Sequence, residues 1–532
     1  MSKIIKPKIG AIRWDAQSNN LVPRYEDDKP SYVMSREARY LSYPQFFRRL
    51  PFYAQVSEYG MSLYQQWKSE GSNINAPNPS HLPWEEYAQT AEAKFDPDLK
   101  LYGAMQTSMD KEIEYAVNAG IDYWAFVYYK NWESDKGGCY QMAAQRNMFI
   151  GSKNKRGLKW CPILYISDDY IHYSMDEENW IIEQMKNNDF MTVQDGRPLV
   201  FFSLHSYTSR KKTIEVVNRI RKKAEMIGKN PFIVANDWDW EWSKEEPAMQ
   251  CVEAMKADAV TWYATTGPLN KTVGDKKTST YLELHSEQKA KWASPFAGKE
   301  TALSAGVNIE VIPNVTVGID TRPRSRQDLV PMLGDPPYWG NLDPDPTPHE
   351  LECAVFDALK HVFDNKSAKF FNSILLYCWN EFTEGGLSVC PHFDPDNPGK
   401  ANTMVVDAIK NAKQKALKEL DWTVDIDEII SGKALGDARK VLTGSPVGGI
   451  FPYDGVLKVT VTFDTNGGFY KEVFPSQVVD KGEKINKVQA PEPPDIDMKF
   501  AGWYSDFEFT HKWDFESDTA DDNTILHAKW EK

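Results

Sequence analysis

Glu381 and Glu384 stand three residues apart in the run Tyr377-Cys378-Trp379-Asn380-Glu381-Phe382-Thr383-Glu384-Gly385-Gly386. Two carboxyls at this spacing can face one cleft. When their surroundings differ, one stays neutral as an acid while the other stays ionised as a base. The preceding residues, Ser373 to Trp379, have the composition of a buried strand, and the Gly pair that follows lets the backbone turn sharply. An arbitrary E-x-x-E is more often two solvated loop acids. Here the strand, Trp379 and the glycines favour chemistry, with Glu381 and Glu384 as the catalytic pair.

Such a pair needs a scaffold, and the chain supplies eight short apolar, β-rich segments. They are Ile9 to Trp14, Tyr123 to Tyr129, Trp160 to Ile166, Leu199 to Leu204, Phe232 to Ala235, Ala259 to Tyr263, Val311 to Val317 and Ser373 to Trp379. Helical periodicity fills several gaps: Ser108 to Ala119, Trp180 to Asn187, Thr213 to Ile227 and His349 to Phe363. Eight strands alternating with helices predict an α/β fold of the (β/α)8 TIM-barrel type. An open doubly wound sheet is the alternative, but no G-x-G-x-x-G follows the first strand.

In a barrel the functional residues gather at the C-terminal ends of the strands. Those ends nominate Arg13, Trp14 and Asp15, then Tyr128 and Tyr129, then Asp168. The later strands add His205, Asn236, Asp237, Trp238, Tyr263 and Arg322, and the last adds Trp379 and Asn380. All are expected to bind substrate. Structural roles compete with these: Asp15 as an Asx-turn residue, His205 as a hydrogen-bonded strand end, Asp168 as loop solvation. Arg322 could pair with a site acid or with Asp320. A crossover of about ninety residues after the first strand is long enough to build a cleft, which makes Tyr53 and Trp67 subsite candidates.

W-N-E-F-T-E-G-G resembles the W-N-E-[WF]-x-E-G motif of glycoside hydrolase family 99-like and WbsX-like proteins. I-G-A-I-R-W-D, R-L-P-F-Y and A-G-I-D-Y-W-A-F extend the resemblance over roughly residues 8 to 415. It implies a (β/α)8 barrel related to endo-α-mannosidases, with Glu381 as the base on a sugar 2-OH and Glu384 as the acid on the leaving oxygen. It also implies a 1,2-anhydro sugar opened by water with retention. A conventional carboxylate pair stays open beside that route.

Composition narrows the partners. The 62 basic residues against 76 acidic ones give a net charge of −14, so no basic surplus exists to neutralise nucleic-acid phosphates. Aromatics, at 13%, suit the stacking of sugar rings as well as the filling of a core. No apolar run reaches the length of a membrane span. The six cysteines form no C-x-x-C pair, and no metal or organic cofactor is expected.

Beyond residue 425 the pattern changes. A stretch at 426–456 containing Gly444-Ser445-Pro446 reads as a linker, and 457–532 as a small all-β, β-grasp-like domain after the barrel of residues 1–425. V-T-F-D-T-N-G-G, F-A-G-W-Y-S-D and L-H-A-K-W-E resemble the internalin B-repeat, also called the Listeria-Bacteroides repeat. Such repeats occur on secreted and surface-attached bacterial proteins. That implies an extracellular, cell-surface or periplasmic enzyme whose signal peptide has been removed, with the repeat as a surface or glycan attachment or as a packing domain. The leading expectation is a secreted retaining glycoside hydrolase acting on a complex glycan such as an α-mannoside. A WbsX-like glycosyltransferase and a non-catalytic carbohydrate-binding barrel remain the alternatives.

Overall fold

The computed structural model describes residues 2–4, 6–15, 21–26, 29–34, 36–69, 95–103, 105–128, 140–166, 175–193, 196–204, 210–237, 252, 255–265, 271–273, 276–293, 309–320, 323, 341–342, 345–365, 371–425, 458–468, 476–506, 508–521 and 524–532. Seven of the eight expected strands are continuous: β1 Lys8–Arg13, β2 Tyr123–Tyr128, β3 Lys159–Ile166, β4 Leu199–Leu204, β5 Phe232–Asp237, β6 Ala259–Trp262 and β8 Ser373–Tyr377. β7 comes in two pieces, Glu310–Val311 and Asn314–Thr316, because Pro313 has no N–H to give a ladder. The first piece pairs with β6 and the second with β8, both parallel.

Those two pairings close the sheet. Ile312 N–H donates to Val260 O and Leu375 N–H to Pro313 O, each at 2.9 Å, so one run of chain joins both edges. The strand order is therefore a ring, β1-β2-β3-β4-β5-β6-β7-β8. Among the described residues seven helices accompany it: α1 Gln106–Ala119, α2 Tyr140–Gly151, α3 Met175–Gln184, α4 Arg210–Met226, α5 Tyr281–Ala293, α6 Pro348–Asp364 and α7 Met404–Glu419. The fold is a (β/α)8 barrel.

Strand alternation sorts the side chains into two populations. Tyr123, Ala125, Val127, Ile163, Phe201, Val234 and Leu375 fill the barrel interior. Trp124, Phe126, Tyr128, Leu164, Phe202 and Leu376 pack outward against the helices. At the N-terminal end, Tyr123, Phe232 and Phe371 stack into a floor, with ring centres 5.7 and 6.0 Å apart. Gly10 makes that floor possible, since a Cβ there would lie 2.0 Å from the Tyr123 ring. Each fully buried ring of this kind contributes roughly 1.5–3 kcal/mol.

The crossover after β1 carries helices Arg36–Leu41, Pro44–Arg49 and Glu58–Ser69. Near its middle it is stitched to the chain beyond β8: Phe52 N–H donates to Pro391 O and Phe393 N–H to Leu50 O. The C-terminal domain is a four-stranded sheet of β9 Lys458–Asp464, β10 Ser476–Asp480, β11 Lys499–Tyr504 and β12 Thr524–Glu531. Its order is β10-β9-β12-β11, with only β9 and β12 parallel. Val461, Phe463, Trp503, Leu526 and Ala528 form its own core. The expected linker lies outside the described residues. Among the described residues no helix is long and apolar enough to cross a membrane.

Candidate active site

β8 ends in a single tight turn that holds both acids. Glu384 N–H and Gly385 N–H both donate to Glu381 O, at 3.2 and 2.6 Å. Gly386 then takes a positive φ of 62°, and Gly318 approaches so closely that a Cβ on it would sit 2.6 Å from Gly385 O. The returning chain is pinned to the strand end, with Val389 N–H on Cys378 O and Cys390 N–H on Trp379 O. Asp320 N–H, at the end of β7, donates to Glu384 O at 2.6 Å. The turn is thus fixed from three sides.

The two carboxyls differ in enclosure: Glu381 is 4% exposed, whereas Glu384 is half-buried. The cause is local: the turn folds Glu381 back over Cys378, whose sulfur accepts the Glu381 N–H at 3.2 Å, and carries Glu384 outward. Glu381 sits beside the Tyr377 phenol, which burial first and the Glu381 charge second push well above its ordinary pKa. The Tyr377 ring lies 5.4 Å from that of Tyr263 on the interior side of the mouth.

Four nominated residues lie beneath the turn and are withdrawn from any substrate. Arg13, Asp15, Trp379 and Asn380 are at most 2% exposed. Arg13 Nε–H donates to Asp15 at 2.8 Å, while its Nη1 and Nη2 meet Glu112 of α1 at 2.9 and 3.2 Å. The guanidinium lies 4.4 Å from the Trp124 ring centre. Burial works against the Arg13 charge, but Asp15 and Glu112 outweigh it and raise its pKa. Asp15 is pushed up to about 6 by burial and by Glu112, against the opposing pull of Arg13 and of the Asn380 bond.

This buried charge sets the two residues before Glu381. Trp379 Nε1–H donates to Glu112 at 2.5 Å, and Asn380 Nδ2–H donates to Asp15 at 2.7 Å. Asn380 Oδ1 accepts the Trp14 N–H at 2.8 Å. Both side chains are thus turned into the buried support, at most 2% exposed. Tyr128 is likewise misplaced as a ligand: it takes the outward phase of β2 and lies under the Arg146 guanidinium, 3.8 Å from its ring centre.

Asn236, Tyr263 and Trp14 do face the interior mouth. Trp14 is half-buried and packs on the interior cluster. Asn236 is fully buried, and neither its amide oxygen nor its amide nitrogen has a hydrogen-bond partner among the described residues. Its strand neighbours in register are Ser203 and Thr261, and Tyr165 is paired with Ser203. These four form a neutral polar layer above apolar Ile163, Phe201, Val234 and Ala259. Tyr165, Ser203 and Thr261 went unnominated, although strict alternation from the apolar interior positions would have pointed to them.

Tyr129, Asp168, His205, Trp238 and Arg322 lie outside the described residues, as does the side chain of Asp237. Among the described residues Asp320 meets Arg49, whose Nη2–H donates to Asp320 at 3.1 Å and to Asp345 at 2.7 Å. Below Arg49 sits His392, pushed down to about 4 by burial and by the Arg49 charge. Ser388 N–H donates to His392 Nε2, so Nδ1–H donates to Arg49 O at 3.2 Å and the ring is neutral. Tyr53 packs edge-on to Phe382 at 6.5 Å, beneath the turn, and Trp67 packs on Tyr64 at 5.7 Å inside the crossover. Neither is a subsite surface. A basic cleft lined by Lys6, Lys8, Lys159, Asp122 and Phe371 opens at the opposite end of the barrel and carries a single carboxylate.

Residues 460–529 match the Listeria-Bacteroides repeat domain family. In the same proportion of the chain, 14%, it is 40% identical over 74 residues to a candidate membrane protein of Evansella cellulosilytica and 39% over 78 residues to a Gly-rich one from that organism. These stretches cover 10% and 8% of those proteins, so the chain spans about a tenth of the curated relatives it matches. Among solved structures, a GH99 endo-α-mannosidase from Bacteroides thetaiotaomicron aligns over 77% of this chain and 98% of its own, at 12% identity and a TM-score of 0.39. A GH5 protein from Bifidobacterium longum aligns over 59% of this chain and 74% of its own, at 11% identity and a TM-score of 0.34. The fold assignment itself rests on the strand pairing.

Proposed function

We propose that the chain is an exported retaining glycoside hydrolase that cleaves a glycosidic bond in a complex glycan, with Glu381 and Glu384 as its base and acid. The observation that supports this best is the pair itself. Two carboxyls share one pinned turn at the end of β8, one enclosed beside Tyr377 and the other half-open. In this reading Glu381 takes the proton of the sugar 2-OH and Glu384 protonates the leaving oxygen. The glycan completes the burial of Glu384 on binding, which raises the carboxyl toward the neutral form an acid needs. The unpartnered amide of Asn236 and the faces of Tyr263 and Trp14 then take the sugar. The barrel of residues 1–425 carries the reaction, and residues 457–532 form the appended domain.

The test is glycan release from α-mannans, N-glycans and plant polysaccharides by the wild type, Glu381→Gln and Glu384→Gln. We expect each variant to lose at least about a hundredfold in kcat. Release that survives both changes sinks the assignment. Binding without release favours a lectin-like barrel, and transfer from an activated sugar favours the transferase.

The deeper burial of Glu381 favours one second reading, in which Glu381 is the acid and Glu384 the base. Aryl glycosides with good leaving groups need little protonation. Whichever variant keeps activity on them has lost the acid.

A further inference from the structure

The C-terminal sheet does not stand apart from the barrel. Along β9, Val459, Val461 and Phe463 point into the sheet's own core, and the alternate residues Thr462 and Asp464 are fully buried on the opposite face. What buries them is the barrel. Thr462 Oγ1–H donates to Asn147 O of α2 at 3.3 Å. At the end of α2, a Cβ on Gly151 would lie 2.8 Å from Thr462 Oγ1 and 3.1 Å from the Ile525 side chain, so this glycine is what lets β9 and β12 seat closely.

The second contact is a borrowed cap. Met105, at the N-cap of α1, has no side chain that could accept a hydrogen bond from the first turn. Asp464 supplies the missing acceptor: Gln106 N–H donates to its Oδ2 at 3.4 Å, and His527 Nδ1 holds the same oxygen at 2.9 Å. A carboxylate at this end of a helix also favours the macrodipole. The two helices so gripped are those that reach the candidate site. α1 carries Glu112, which holds Arg13 and Trp379, and α2 carries Gln145, which accepts from Arg13 Nη2–H at 3.4 Å.

We propose that the C-terminal sheet is a brace for the mouth of the barrel: β9 caps α1 and seats α2, fixing the helices that hold Arg13, Trp379 and so the Glu381 turn. The β9 face used for this is closed to outside ligands. The proposal concerns the placement of Glu381 and stands whether or not that turn hydrolyses a glycoside.

It is tested on the full chain by hydrogen exchange, comparing the wild type with Gly151→Val and Thr462→Lys, which wedge the contact from its two sides. Asp464→Asn, equal in size but without the charge, is the milder variant should either fail to fold. We expect exchange to quicken about tenfold or more in peptides covering 106–119, 140–151 and 378–390, while 232–237 is unchanged. Quickening confined to 458–464 and 140–151 would overturn the brace. So would a wild type in which 458–464 exchanges as a unit far less protected than α1.

Discussion

The two sides of the barrel mouth are built from opposite materials. At β1 and β8 the support is ionic: Arg13 between Asp15 and Glu112, with Asn380 and Trp379 hung from the two carboxylates. Across the mouth, at β3 to β6, the layer is neutral, and among the described residues the two polar atoms of the Asn236 amide find no partner. Buried charge that is fully paired fixes geometry, whereas buried hydrogen-bonding capacity left over is available for recognition. Under the function proposed above, one side positions the Glu381 turn and the other binds the sugar.

The sharpest way to break it is Glu112→Leu, which strips Arg13 and Trp379 of their shared partner. Removing one member of a buried ion cluster costs about 3–5 kcal/mol. Urea unfolding should show that loss, and kcat should fall with KM little changed, because Glu112 touches no substrate. A variant as stable as the wild type would mean that the charge there is ornamental.

His392 gives the next largest effect, on the same side. Its native pKa of about 4 lies below the ordinary 6.5, so the unfolded chain binds the proton more readily between those values. Stability from this group is full above pH 6.5 and is lost as pH falls toward 4, by roughly 3 kcal/mol in all. Asp15 works in the other direction: raised to about 6, its contribution is present below pH 4 and lost as pH climbs through 6. Unfolding of His392→Gln and wild type at pH 7 and pH 4.5 separates the two. The variant should lose less on acidification, and equal losses would remove His392 from the account.

Asn236→Leu is the smallest and most telling change. Replacing an unpartnered buried amide by an apolar group of similar size should raise stability by about 1–2 kcal/mol. Glycan affinity, read by calorimetry, should fall about tenfold or more. Lower stability together with unchanged affinity would reverse the roles of the two sides.

The sequence shows which strands exist more readily than which way their ends point. All eight apolar runs became barrel strands, because a run buried on both faces leaves little choice of partner. Reading strand ends, however, collects both phases of the alternation. Tyr128 and Arg13 fell on the outer phase, Asn236 and Tyr263 on the inner. Glu112 had a signal that was missed, since it sits with Met109, Ile113 and Ala116 on the apolar stripe of α1, where a lone carboxylate needs a buried cation. Arg49 had none. It comes from the crossover to meet Asp320, and no local pattern announces a partner 271 positions away.

The floor made by Tyr123, Phe232 and Phe371, with Gly10 giving way beneath it, has a kinetic meaning. A plugged cylinder has no rear exit, so under the function proposed above a sugar chain that enters between the strand ends would leave by the same face, and product release would share that doorway with the next substrate.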